Sequence, residues 1–89
     1  MPTIKSAKKR LRQNIARRER NRSIKRAVRT QCRKVREAVK AGDAETAEAE
    51  FRLAAKRLDR AGARNIIHRN AVARTKSRLS AKVKAIKQA

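Results

Sequence analysis

Few residues in this chain could do covalent chemistry, and none is placed to do it. Ser6-Ala7-Lys8-Lys9 has the serine–x–x–lysine spacing in which an amine activates a hydroxyl nucleophile. The companion motifs and large enclosing fold of such acyl-transfer enzymes are absent. Cys32 and His68 are the only residues of their types, so neither an intramolecular disulfide nor a four-ligand zinc site can be built from them. Cys32 falls on an apolar stripe and reads as a small buried thiol. Asp43, Glu45, Glu48 and Glu50 lie close together, but they stand where a helix begins, and capping explains them better than an acidic site. Asn21-Arg22-Ser23 has the form of a glycosylation acceptor, which carries meaning only behind a secretion signal. With two glycines in all, there is no glycine-rich phosphate loop. The residues predict no enzyme, no cofactor, no metal site and no small-molecule substrate.

What the chain offers instead is anion binding. It has 28 Lys plus Arg against 7 Asp plus Glu in 89 residues, a formal net charge of +21. Such a charge destabilises a compact free protein by self-repulsion, and a polyanionic partner removes the repulsion. Residues 1–40 carry a net +14, residues 41–60 a net −1 and residues 61–89 a net +8. The basic footprint therefore belongs to the two ends, and the near-neutral middle is expected to face solvent or to buttress them. Arg18, Arg22, Arg26, Arg29, Arg33, Arg36 and Lys40 recur at steps of 3 or 4, as do Arg74, Arg78 and Lys82. Each set forms one stripe on a helix. A solvated charged face would look similar, but acids are nearly absent from neighbouring positions, so the stripes repel themselves unless an external anion lies against them. Arginine outnumbers lysine, which suits bidentate phosphate contacts.

The elements that must hold these stripes are helices. Gly42 and Gly62 divide the chain into three segments rich in Ala, Arg, Lys, Leu and Glu, all good helix formers. The first segment runs from about Thr3 to Ala41. Ile24, Val28, Cys32, Val35 and Val39 give its second half an apolar stripe. The first half, with Ile4, Ala7, Leu11 and Ile15, does not sustain it. The spacing predicts one long helix, roughly 50 Å, whose N-terminal half projects from a bundle. Gly42 suits the end of this helix and Asp43 the N-cap of the next. Ala44, Ala47, Phe51, Ala54, Leu58 and Ala61 form the second apolar face. Gly62 is expected to end that helix and Asn65 to cap the third. Ile67, Ala71, Val72, Thr75, Leu79, Val83 and Ile86 line the third, with His68 in its first turn. The expectation is an all-α fold: an antiparallel three-helix bundle with a long, protruding basic first helix, one domain over residues 1–89. With no Trp or Tyr and one Phe, its core is thin. Marginal free-state stability and completion of the fold on a partner follow.

Composition also narrows the partner. The interleaved aromatics of single-strand stacking platforms, the aromatic motifs of RNA-recognition sheets and the Cys/His pairs of zinc fingers are missing. Shape and backbone are what remain to be recognised. A chromosome-compacting DNA-binding protein is the alternative, though the chain lacks a recognisable helix-turn-helix, zipper or intercalating arm. Membrane-surface binding calls for Trp, Phe and Leu anchors, and the apolar faces here are mostly Ala and Val. No apolar run reaches membrane-span length. Met1-Pro2-Thr3-Ile4-Lys5 has no apolar stretch behind it, so no secretory signal is expected and a cytoplasmic location is the default.

Several stretches resemble one family, the bacterial small-subunit ribosomal protein S twenty. They are Ile4-Lys5-Ser6-Ala7-Lys8-Lys9-Arg10, then Arg20-Asn21-Arg22 followed by Arg29-Thr30, and Ile67-His68-Arg69-Asn70 continuing through Ala73-Arg74 to Lys76-Ser77-Arg78-Leu79. Their order and spacing, the chain length and the Ala41-Gly42-Asp43 turn agree over essentially the whole chain. The resemblance implies a monomeric, non-catalytic constituent of the small ribosomal subunit that binds 16S rRNA directly during assembly. Contacts it implies are Lys5, Lys8, Lys9, Arg10, Asn21, Arg22, Arg29, His68, Asn70, Arg74, Lys76, Ser77 and Arg78, to which the basic stripe adds Arg18, Arg26 and Arg33. The chain departs from the family pattern at three places: Asn65 stands where glycine is common, Arg69 replaces a usual Lys, and Val72 occupies a position that is often basic.

Overall fold

Between residues 4 and 88 the chain has two glycines and no proline, so little in it can stop a helix. The computed structural model describes residues 4–88, among which there are three helices and no strand: α1 (Ile4–Lys40), α2 (Ala44–Ala63) and α3 (Arg69–Lys87). The expected start of α1 at Thr3 lies outside the described residues.

Both interhelical turns close with the same hydrogen-bond pattern. At the end of α1, the Gly42 amide donates to the Val39 carbonyl (3.0 Å) and the Asp43 amide to the Ala38 carbonyl (3.1 Å), with Gly42 left-handed at φ +75. At the end of α2, the Asn65 amide donates to the Gly62 carbonyl (3.1 Å) and the Ile66 amide to the Ala61 carbonyl (2.9 Å), with Asn65 left-handed at φ +58. These are Schellman caps, which satisfy the orphan carbonyls of a helix end. Asp43 caps α2 as expected: its carboxylate accepts from the Thr46 amide (3.1 Å) and hydroxyl (2.6 Å).

The second turn corrects three expectations. Gly62 does not end α2, which runs on to Ala63. Gly62 sits instead at a close approach of α3, where a Cβ would stand 3.2 Å from Val72 Cγ2 and Val72 would have to give way by a few tenths of an ångström. Asn65 is not the cap of α3 but the left-handed residue that closes α2. Asparagine is the side chain after glycine that best tolerates this conformation. The cap of α3 is His68, placed before rather than within the first turn.

The core is a single cluster. Val28, Cys32, Val35 and Ala38 come from α1, Ala47, Ala54, Leu58 and Ala61 from α2, and Val72, Leu79 and Val83 from α3. Phe51 lies at its edge, half-buried. Burial pushes the Cys32 thiol up from its ordinary pKa, against the pull of the nearby Arg36 charge, so it is inert rather than reactive. The central helix is α2, which packs on both others, whereas α1 and α3 touch sparsely. Two ion pairs set the antiparallel register of α3 on α2: Lys76 with Asp59 (2.9 Å) and Lys87 with Glu48 (2.7 Å). Partner numbers fall on α2 as they rise on α3, by equal steps. Gln31 does this job between α1 and α2. Only 4 % exposed, it donates through its amide nitrogen to the Glu50 carbonyl (3.0 Å) and to the Glu50 carboxylate. A buried polar group satisfied only in one alignment is a register device.

Residues 4–20, by contrast, are exposed throughout. The radius of gyration is 17.7 Å and the long dimension 64 Å, whereas a compact chain of this length has a radius of about 12 Å. The long, protruding first helix is thus present, as is the thin core.

Two outcomes follow for stability. Leu58→Ala, at 2 % exposure, costs about 2–5 kcal/mol, while Leu11→Ala, at 60 % exposure, stays within about 0.5 kcal/mol; urea titration followed by circular dichroism reads both. The second concerns acid. The Thr46 hydroxyl and amide hold the Asp43 carboxyl below its ordinary pKa, and the Lys87 ammonium does the same to Glu48. Folding stability from these groups is complete above the ordinary carboxylate range and is lost as pH falls through the lowered values. The urea midpoint should therefore drop on acidification, and drop less in Glu48→Gln.

Candidate nucleic-acid interface

Helical periodicity explains why α1 changes character where it leaves the bundle. Continued toward the N-terminus, the face that carries Ile24, Val28 and Val35 presents Asn21, Arg17, Asn14 and Arg10, since positions three and four apart share a face. Polar residues occupy that face because no helix covers it there. The apolar residues of the projecting half, Ile4, Leu11 and Ile15, are 76, 60 and 45 % exposed. At 3.6 residues per turn they share a face with Arg18, Arg22 and Arg29 rather than with the bundle.

Asn14, Arg17, Arg18, Asn21, Arg22, Lys25, Arg26 and Arg29 together line one open groove along this part of α1, with no carboxylate among them. Five residues expected from the sequence (Arg18, Asn21, Arg22, Arg26 and Arg29) are thus brought together. Among the described residues, the ion pair on α1 is Arg33 with Glu37 at 3.7 Å, both well exposed, and such a pair is worth little. Arg33 lies one turn beyond the groove.

The α2–α3 turn completes this shoulder. His68 comes to Lys25 and Arg29 across a cleft floored by Val28, Ile66 and Ile67. The Asn70 amide donates to His68 Nδ1 at 3.1 Å. A ring that accepts at Nδ1 carries its hydrogen on Nε2, which stays available as a donor. The first turn of α3 contains no acidic residue, so the positive end of its dipole faces the shoulder uncompensated. By contrast, α2 starts with Asp43 and Glu45.

The other expected residues lie elsewhere. Lys5, Lys8, Lys9 and Arg10 are exposed on the projecting half of α1, and Arg74, Ser77 and Arg78 are exposed on α3. Neither group lines the groove. Asn70 follows the His68 cap, with its side chain exposed. The Lys76 ammonium is spent on Asp59, which makes it first a strut between helices. Arg57, Arg60 and Arg64 were not among the residues expected to bind. Arg57 and Arg60 stand on the C-terminal half of α2 and Arg64 is its C-cap, and all three line a cleft with Ile24 and Ala27 of α1. Averaging over residues 41–60 concealed Arg57 and Arg60, because four of that segment's five acids, Asp43, Glu45, Glu48 and Glu50, lie at its start, and Arg64 was counted with the basic end of the chain. Among the described residues no group of His, Cys, Asp and Glu is arranged to hold a metal, and no helix is long and apolar enough to cross a membrane.

The turn itself can be tested. Asn65→Ala and His68→Ala should each lower stability by about 1 kcal/mol, through strain and a lost cap respectively. Asn65→Gly and His68→Asn should keep it. Thermal unfolding of the four variants distinguishes these outcomes.

Comparison with known proteins gives the family. The family model described as Ribosomal protein S20 matches residues 2–84. Three relatives carry the description small ribosomal subunit protein bS20. That of Rhodopirellula baltica is 56 % identical over 84 residues, covering 94 % of this chain and 93 % of its own. That of Xanthomonas oryzae pv. oryzae is 53 % identical over 89 residues and the full length of both chains. That of Saccharophagus degradans is 50 % identical over 86 residues, 97 % of this chain and 98 % of its own. Family match and full-length identity together show that this chain belongs to the ribosomal protein S20 family, a family of ribosomal proteins and not of enzymes.

Proposed function

We propose that the chain is a structural constituent of the small ribosomal subunit that binds 16S rRNA directly and stabilises its folded form during assembly, in the ribosomes of the cytoplasm. Its relatives are small-subunit proteins. The observation that carries the rRNA reading is the acid-free groove of Arg17, Arg18, Arg22, Lys25, Arg26 and Arg29 on a helix that continues well past its bundle. A rod with basic side chains on several sides can lie between RNA helices and screen phosphates that would otherwise repel each other. The work is binding, and it acts as assembly chemistry because it favours close-packed RNA over extended RNA.

The residues divide by reach. Lys5, Lys8, Lys9 and Arg10 meet phosphates far from the bundle. Arg18, Asn21, Arg22, Arg26, Arg29 and Arg33 grip along the groove and its extension. His68 Nε2 and the Asn70 side chain add directed donors at the shoulder, and Arg74, Ser77 and Arg78 extend the contact along α3. Lys76 contributes through its strut to Asp59. Aromatic stacking platforms are lacking, so RNA shape and backbone are what is read. The protein acts as a monomer within the particle, a reading supported by a single core cluster to which all three helices of one chain contribute.

The test is binding of the purified protein to 16S rRNA and to random duplex DNA over a salt series, with competitor tRNA present. Affinity for 16S rRNA should survive competitor at moderate salt. With about eight phosphates neutralised, affinity should fall several orders of magnitude per tenfold rise in salt. Arg22→Ala and Arg29→Ala should each reduce the salt slope by about one. Equal affinity for all polyanions, lost together as salt rises, would favour the DNA-compaction alternative and sink this reading.

A further inference from the structure

Beside the groove, α1 and the C-terminal half of α2 enclose a smaller cleft of about 200 Å³. Its floor is Ile24, Ala27, Val28 and Ala61, and its mouth carries Arg57, Arg60 and Arg64. The nearest α2 acid, Asp59, is engaged with Lys76 toward α3. The combination is unlike the α1 groove, which is polar along its length. A bare phosphate gains nothing from an aliphatic floor, and water there has few polar partners. A carboxylate by itself would suit the arginines but not the floor.

A nucleotide has both parts, and the basic groove beside the cleft already points to RNA. A nucleobase has apolar faces to lay on aliphatic side chains, guanidinium groups stack on such faces, and its own phosphates reach the rim. Bases inside a duplex are stacked and cannot reach the floor, whereas an unpaired, extruded one can. We infer that the cleft receives a single extruded nucleobase of RNA, with Arg57, Arg60 and Arg64 holding it and the phosphates on either side. The RNA strand has a path away from the cleft, because Ala27 and Arg57 also border a surface with Arg26 and Lys34. The inference rests on the RNA-binding function proposed above and adds to it a base-accepting subsite. It also places the base-binding contribution on α2, a helix whose overall charge gives no hint of it.

The experiment measures binding of the full chain to an RNA hairpin with a one-nucleotide bulge, using each of the four bases in turn, and to the same hairpin fully paired. At fixed moderate salt the bulged form should bind about tenfold tighter for at least one base. Ala27→Phe fills the cleft without changing charge. It should abolish the preference and leave paired-hairpin affinity as it was. The double variant Arg57→Ala/Arg64→Ala, at the exposed rim, should also erase the preference, and it decides the matter if circular dichroism shows that Ala27→Phe disturbs the fold. Arg22→Ala/Arg29→Ala should weaken both hairpins alike with the preference intact. Equal binding of all hairpins by the unaltered protein, or a preference that survives loss of the rim arginines, overturns the cleft assignment while RNA binding stands. If 16S rRNA, titrated alongside, also binds no better than duplex DNA, the RNA reading itself is overturned.

Discussion

Repulsion among the basic side chains of α1 is the constraint on which the rest of the molecule depends. Residues 1–40 carry a net +14, and the α1 ion pair among the described residues is one long, exposed contact, Arg33 with Glu37. A helix of Ala, Arg and Lys has good intrinsic propensity. Isolated helical stretches in water are nevertheless marginal, and unpartnered like charges at i,i+4 work against them. Half of α1 has no tertiary support. Its helical form is therefore inexpensive only where something negative lies along it, and the geometry of the protein is arranged to present that face outward.

The bundle serves this presentation. Two of the seven acids, Glu19 and Glu37, lie among the arginines of α1, and the other five are on or at the start of α2. Glu48 and Asp59 join α2 to α3, Asp43 caps α2, and Glu50 meets Gln31. The negative charge of α2 is thus largely used within the protein, to cap that helix and to fix the register of the three helices. The outward faces of α1 and α3 are left positive. A small core of Val, Ala and Leu then suffices to hold the base of α1 in place, and the shoulder where α1 emerges collects Lys25 and Arg29 from α1, Arg57 and Arg64 from the end of α2 and its cap, and His68 from the turn before α3.

Features encoded by neighbours in sequence were legible in advance. The basic and apolar stripes follow directly from steps of three and four. The Gly42-Asp43 pair marks a helix end and a helix start without outside help. Where a residue's role is set by a distant partner, reading failed. Gly62 looks like a terminator, but it stands where Val72 comes close to it from α3. Asn65 and His68 have the same capping chemistry on paper, and only the path of the chain through a left-handed residue gives one to each helix. The ion pair of Lys76 with Asp59, across two helices, could not be read from the spacing of α3 alone. Arg57 and Arg60 were hidden because charge averaged over a segment says nothing about which end or which face it occupies.

The most direct test of this account is amide hydrogen exchange at low salt, on the free protein and on its complex with 16S rRNA. Amides of Val35, Ala54, Leu58 and Leu79, which are almost fully buried, should exchange slowly in both. Amides from Lys8 to Arg20 should exchange fast in the free protein and slow strongly on the RNA, because there the polyanion replaces the missing tertiary support. If the projecting half of α1 is as protected alone as it is on rRNA, its charge does not need a partner, and the central claim is wrong.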